Sequence, residues 1–170
     1  MVIISGETMA GKTTIARRLE EMNLVSKVIT CTTRPARPAE INGIHYHFIT
    51  PKQMTEEITE GKFVEFAVVY GNIYGTRFED LKACKNTPIV VLNPEGLDTF
   101  AETLGKENIT SIFIKRGFEI PDEARADMSI RVAEDAEMDL SKYDLIILNV
   151  DLAETIETIA SFIKEREARQ

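Results

Sequence analysis

The residues Gly6-Glu7-Thr8-Met9-Ala10-Gly11-Lys12-Thr13 follow the apolar run Val2-Ile3-Ile4 with the spacing Gly-x4-Gly-Lys-Thr. Glycines at these two positions let successive backbone N–H groups turn inward around an anion, so the loop binds through its backbone first and its side-chain charge second. Lys12 then reaches β- and γ-phosphate oxygens, and the Thr13 hydroxyl is placed to ligate magnesium. Residues 6–14, Gly6 through Thr13 with Thr14, therefore form a candidate site for a nucleoside triphosphate and its magnesium ion. Context supports the motif: Ile15, Ala16, Leu19 and Met22 recur at helical spacing behind it, with Arg17, Arg18, Glu20 and Glu21 on the other face.

A second constellation runs from Thr30 through Cys31-Thr32-Thr33-Arg34-Pro35-Ala36-Arg37-Pro38-Ala39-Glu40 and Gly43 to Tyr46. Arg34 and Arg37, stiffened by prolines, can grip one phosphate with planar donor forks, and Tyr46 can add a hydroxyl. Further on, Glu65 interrupts the apolar Val64-Glu65-Phe66-Ala67, and Tyr70-Gly71-Asn72-Ile73-Tyr74-Gly75-Thr76 follows. A charge in such a strand needs a partner. An arginine is the plain structural partner; the functional one is guanine, whose adjacent N1–H and N2–H donors suit a carboxylate, whereas adenine presents a lone pair at N1.

The elements that must position these residues follow from hydrophobic period. Short apolar runs at Val2-Ile4, Val28-Ile29, Ile89-Leu92, Ile112-Ile114 and Leu145-Leu148 alternate with helical patterns, the signature of βαβ units around a parallel sheet. Leu97, Phe100, Ala101 and Leu104 make one helical stripe; Leu152, Ile156, Ile159 and Ile163 make another, opened by a capping box at Asp151 and Glu154. After the second apolar run, Tyr46-His47-Phe48-Ile49, a helix capped by Thr50 with Pro51 in its first turn, and a strand Phe63–Val69 form a small mixed insertion. A charged, mostly helical interruption runs from about Arg116 to Ser141. The expected architecture is one α/β folding unit: a core of residues 1–33, 75–115 and 142–170, an insertion of 34–74 and a short lid of 116–141.

With 170 residues and a net charge of −8, nucleic acid and anionic membranes are unfavoured partners, since both reward a basic surface. Cys31 and Cys84 lack metal-ligand or disulfide spacing. No apolar run approaches the roughly 20 residues of a membrane helix, and the opening residues read as a buried strand rather than a signal peptide, so a cytoplasmic setting is expected. His45 and His47 flank Tyr46 at a spacing of two, but a metal pair lacks a third ligand; the solvent side of a strand whose Tyr46 and Phe48 point the other way accounts for them.

Taken jointly, Thr30, Arg34, Arg37, Tyr46, Glu65, Tyr74 and Thr76, with the phosphate loop before them, resemble the guanylate kinase family over nearly the whole chain. The resemblance implies a P-loop NTPase core with a central parallel sheet, a GMP-binding insertion and a helical lid, and transfer of the γ-phosphoryl of ATP to GMP or dGMP. By similarity, Arg34, Arg37, Tyr46 and Tyr74 bind the GMP phosphate, Glu65, Thr30 and Thr76 read the guanine, and Gly75 lies in the same segment. Lys12, Arg34 and lid arginines share the developing charge; Arg131 is the best-matched lid arginine, with Arg125 and Arg116 as weaker candidates.

Two departures stand out. The family carries aspartates where this chain has Val91 and Asn93, so Asn93 is expected to serve as an uncharged hydrogen-bonding substitute and catalysis to be retuned rather than lost. The lid between Ile114 and Leu145 is also shorter than is usual for the family. These departures leave two alternatives: a non-catalytic guanylate-kinase-like module that binds nucleotide or a phosphopeptide, and a related P-loop kinase with another acceptor.

Overall fold

The computed structural model describes residues 1–120 and 138–169. Strands β1 (Val2–Gly6), β2 (Val25–Lys27), β7 (Thr87–Val91), β8 (Thr110–Arg116) and β9 (Leu145–Asn149) form a five-stranded sheet in the order β2-β7-β1-β8-β9, with every pairing parallel. β1 lies at its centre because it is apolar on both faces, as a strand covered by helices on each side must be. Val2 and Ile4 point to one face and join Ile112 and Ile114 under helices α1 (Lys12–Glu21) and α5 (Leu152–Glu167). Ile3 points to the other and packs with Val90, Phe113, Leu97 and Phe100, the last two from α4 (Pro94–Leu104). Each fully buried Ile or Phe in these layers contributes about 1.5–3 kcal/mol.

The strand expected at Val28-Ile29 is displaced: β2 is Val25–Lys27, and Val28 closes it by donating its N–H to Ile89 O at 3.0 Å. Only Met22-Asn23-Leu24 joins α1 to β2, so the chain pairs at once and then leaves the sheet. Half-exposed Ser26 and Lys27 are tolerated because β2 is an edge strand. Met22, placed on the apolar stripe of α1 by its spacing, instead lies at the C-cap and is 49% exposed.

The insertion is built on a four-stranded sheet, β4-β3-β6-β5, from β3 (Cys31–Thr32), β4 (His47–Phe48), β5 (Phe63–Val69) and β6 (Asn72–Arg77). β5 and β6 form an antiparallel hairpin around Tyr70-Gly71, whose φ values of 49° and 74° meet the demand of a tight hairpin turn. Helix α2 (Pro51–Thr59), capped by Thr50 Oγ1 accepting from Gln53 N, covers this sheet through Met54, against Cys31 and Phe63. Arg77 donates from Nε and Nη2 to Glu57 Oε2, tying β6 to α2 with both side chains nearly buried. α3 (Phe78–Lys82) returns the chain to β7.

A register shift between Phe63 and Glu65 decides the site. Phe63 faces α2 in the insertion, whereas the next residue, Val64, enters the cluster of Leu97 and Phe100 beside α4. The bulge thereby joins the second sheet to the core and re-aims Glu65.

Candidate active site

Helices α2, α4 and α5 each begin with a side chain, Thr50, Asn93 or Asp151, that accepts from the first turn. Helix α1 has none: its N-cap is Gly11 at φ 88°. Its first turn has no side-chain cap, and the helix dipole favours an anion there. The loop is held by shape on both sides. A Cβ on Gly6, at φ 152°, would come within 2.3 Å of Ile114 O, and one on Gly11 within 2.9 Å of Asn149 Nδ2. Met9 also takes a positive φ of 64°.

Lys12 Nζ donates to Gly6 O and Glu7 O, each at 2.7 Å, and so lies curled over the loop. Glu7 Oε2 accepts from Arg116 N at 2.8 Å, and Arg116 Nη1 donates to Thr8 O at 2.6 Å. Arg116, a weak lid candidate by sequence, thus buttresses the loop from the end of β8. Asn149, at the end of β9, donates from Nδ2 to Ala10 O at 3.0 Å, and its buried Oδ1 has no partner among the described residues. Met9 through Thr14 line a concavity of about 310 Å³ on the outer side of the loop.

On the inner side an open cleft of about 490 Å³ brings Gly6, Thr8 and Lys12 together with Thr30, Tyr46, Glu65, Tyr74, Gly75 and Asn93. Ala67, Val69, Tyr70, Val91, Leu92, Pro94 and Met138 complete its walls. Glu65 is 5% exposed and Thr76 fully buried, and Thr76 Oγ1 donates to Glu65 Oε1 at 2.7 Å. Burial pushes the Glu65 carboxyl above its usual pKa, opposed by the Thr76 hydroxyl and backbone bonds. The nearby Arg77 is engaged by Glu57, so among the described residues Glu65 has no ion-pair partner. The plain structural reason for this acid, an arginine partner, is therefore not met among the described residues.

Arg34 lies beside the cleft, with Nε donating to Tyr74 OH at 3.2 Å and its guanidinium 5.6 Å from the centre of the Tyr46 ring. Tyr46 and Tyr74 meet edge to face at 6.0 Å, and burial raises the Tyr46 hydroxyl above its ordinary pKa. Arg37 is exposed at the mouth of its turn. Asn93 Oδ1 accepts from Gly96 N at 2.9 Å, so this residue caps α4 while it lines the cleft. Arg125 and Arg131 lie outside the described residues.

The histidines differ from expectation. His45 sits in a turn with Nδ1 accepting from Ile41 N, and His47 is half-buried with Nε2 3.1 Å from Asp80 Oδ1. Neither is a free solvent-side residue of an extended strand, because β4 is only two residues long. Cys31 is fully buried and its thiol is pushed up to about 12 by that burial, which fits a packing role; both cysteines are free.

Magnesium would be held by the hydroxyl of exposed Thr13 at the start of α1, near a cleft whose walls include uncharged Val91 and Asn93. That set fits a cation that keeps several waters and takes its other ligands from phosphates. Among the described residues no cluster of three His, Cys, Asp or Glu side chains offers a protein cage.

A sequence profile of the guanylate kinase family matches residues 1–166. The chain belongs to the guanylate kinase family. It is 34% identical over 187 residues to a guanylate kinase of Brucella melitensis, covering all of this chain and 84% of that one. To a guanylate kinase of Symbiobacterium thermophilum it is 30% identical over 186 residues, covering 99% and 86%. Among solved structures it resembles a guanylate kinase from Anaplasma phagocytophilum, with a TM-score of 0.79 and 26% identity over 97% of this chain and 84% of that chain. The parallel sheet flanked by helices is the P-loop NTPase fold of that neighbour. Among the described residues no helix of this guanylate kinase family member is long and apolar enough to cross a membrane.

Sequence reasoning missed Asn149 and the supporting place of Arg116. Their contacts with the loop span over a hundred positions, and nothing local signals them. Ala67 and Val69 were within reach, since they follow Glu65 at the period of a strand.

Proposed function

We infer that this member of the guanylate kinase family transfers the γ-phosphoryl group of ATP to the phosphate of GMP or dGMP, with magnesium, in the cytoplasm. One observation carries the reading: a buried carboxylate, Glu65, whose described side-chain partner is a hydroxyl, opens onto the same cleft as Lys12 of the phosphate loop. The core division at 1–33, 75–115 and 142–170, with 34–74 as acceptor insertion and 116–141 as lid, accompanies this reading.

In it, Gly6 to Thr14 hold the triphosphate through backbone N–H groups, Lys12 swings from its two carbonyls onto the β- and γ-phosphates, and Thr13 ligates magnesium. Bound there, the metal would supply neutralisation of the donor's phosphate charge. Glu65, held by Thr76 and joined by Thr30, receives the N1–H and N2–H donors of guanine; Asn93 lines the same end. Arg34, Arg37, Tyr46 and Tyr74 receive the acceptor's phosphate, and Arg131 and Arg125 are assigned to the transferring group. Because phosphoryl transfer asks for little covalent help, the protein's contribution is position and charge.

The deciding experiment measures ADP release from magnesium-ATP with GMP, dGMP, AMP, CMP and UMP as acceptors and Lys12→Ala as the blank. Turnover confined to guanine nucleotides, falling roughly 10²-fold or more in Lys12→Ala, is expected. Equal turnover with AMP would overturn the acceptor assignment, and GMP binding without turnover would turn the protein into a binding module.

A further inference from the structure

Strand β5 closes the insertion's sheet: it is the last in the order β4-β3-β6-β5 and pairs with β6 on one side alone. Val69 and Asn72 flank the two-residue turn Tyr70-Gly71, so they exchange both backbone bonds, and alternate residues of β5 turn their N–H and C=O groups outward. Val64, Phe66 and Val68 are the outward ones. Thr103 on α4 donates from Oγ1 to Val64 O at 3.4 Å, which fits that alternation and covers the start of the edge. At Phe66 and Val68, no hydrogen bond among the described residues meets the outward groups.

The side chains on this edge are apolar as well. Phe66 and Val68, on the face away from the cleft, are 52% and 71% exposed, and Tyr70 at the turn is 59% exposed. Open edges in soluble proteins are normally blunted by lysine, proline or an inward charge. Here residues 66–76 hold no charged side chain and no proline, in a chain of which 28% is charged. Two copies of a chain with net charge −8 repel each other over most of their surface, so an uncharged strip is where they can meet. An uncharged strand suits this edge, and a second β5 is one.

The other apolar edge of the molecule lacks that property. On β9, Ile146 and Leu148 are also exposed, but Asp144 and Asp151 bound the strand. Antiparallel pairing of β9 with its own copy along its length sets those acids opposite each other, where like charges destabilise.

We propose that two copies of the chain associate through β5, antiparallel about a two-fold axis at Ala67, to join their four-stranded sheets into one of eight strands. In that register Phe66 of each copy exchanges both backbone bonds with Val68 of the other, which also lays an aromatic ring beside a β-branched side chain. Ala67 meets its own counterpart in a non-hydrogen-bonded pair, where strands lie closest and a small side chain fits. On the cleft face Glu65 of one copy stands opposite Val69 of the other, so each copy adds an apolar residue to the rim of its partner's cleft. The turn at Tyr70 comes to Thr103 of the other copy, where α4 ends the pairing. One short strand from each copy buries less than the roughly 1,200 Å² of strong interfaces, so the association is weak and reversible.

The test is sedimentation equilibrium of the full chain from about 1 μM to about 1 mM, the range in which contacts of this size form. No nucleotide is added, so the result stands apart from the assigned reaction. The average mass is expected to climb from 19.1 kDa toward twice that value. Val68→Lys and Val68→Glu, at an exposed position, are expected to keep the mass of one chain throughout, with thermal unfolding to check that both are folded. Val150→Lys, at the exposed apolar residue after β9, is expected to associate as wild type does. Oxidation of Ala67→Cys with diamide reads the register. It is expected to give a disulfide-linked dimer well above the background from wild type, which carries Cys31 and Cys84 as free thiols. A wild-type chain that stayed monomeric across the range would overturn the proposal, as would dimers that survive both Val68 variants or are lost in Val150→Lys. Dimers that left Ala67→Cys unlinked would overturn the register and the meeting of Glu65 with Val69.

Discussion

The phosphate loop and the acceptor insertion offer anion sites built in opposite ways. The loop is continuous in sequence, and its donors are backbone N–H groups set by Gly6, Gly11 and an uncapped α1. The acceptor site is discontinuous: Arg34, Tyr46, Glu65, Tyr74 and Thr76 meet because β3, β4, β5 and β6 pair in one sheet and a bulge at Val64 turns Glu65 inward. Backbone sites tolerate side-chain change but not a change of backbone conformation. Side-chain sites behave the other way, and that contrast can be tested from each end.

The largest effect is expected at Glu65. Glu65→Ala removes the group that matches guanine's donors, and sites that read hydrogen bonds discriminate by up to roughly 10⁴-fold. The kcat/KM for GMP should fall by about that order while magnesium-ATP affinity, measured by titration, stays unchanged; equal losses in both would erase the distinction between the regions.

A backbone change is expected to do the reverse. Gly11→Ala forces a side chain into φ 88° and against Asn149 Nδ2, at a cost of about 1–3 kcal/mol. Thermal unfolding should show the loss as a fall in Tm of several degrees, roughly 2–4 °C per kcal/mol. Titration should show weaker ATP binding with guanosine affinity intact. A variant with full ATP affinity would mean that side chains carry the loop.

The smallest effect sharpens the acceptor side alone. Only ionised Glu65 accepts from guanine, and burial raises its pKa above the usual carboxylate range. Guanosine affinity should therefore weaken as pH falls through that raised value, by at most about tenfold per pH unit. Folding carries the opposite sign: a buried carboxyl with a raised pKa costs stability when ionised, so the folded state is favoured as pH falls while guanosine binding weakens. Guanosine is the ligand to use because it carries no phosphate to titrate. A profile that stayed flat from pH 7 down through the ordinary carboxylate range would argue that Glu65 does not read the base.

Much of this was legible along the chain. The central strands, the stripe of α4, the stripe of α5 apart from exposed Leu152, and the caps at Thr50 and Asp151 each stand in a short window, because hydrophobic period and capping act within a few residues. The shift of β2 to Val25–Lys27 was not, because an edge strand carries a weak apolar signal and its start is set by the length of the connection from α1. Nor were His47 with Asp80, or Arg77 with Glu57, whose pairing depends on which strands lie side by side.

By itself the sequence determined the phosphate loop, since glycine spacing and the helix behind it fix a backbone conformation locally. It also determined the kinds of group, two arginines, tyrosines and an acid, that a guanine nucleotide would need. The tertiary structure alone decided that Glu65 is buried with no cationic partner among the described residues and that Glu40 clamps Arg34. It also decided that Arg116 and Asn149 brace the loop. Those outcomes turn on strand order, one bulge and the register of distant segments, and such long-range geometry leaves no periodic trace in the residues that it brings together.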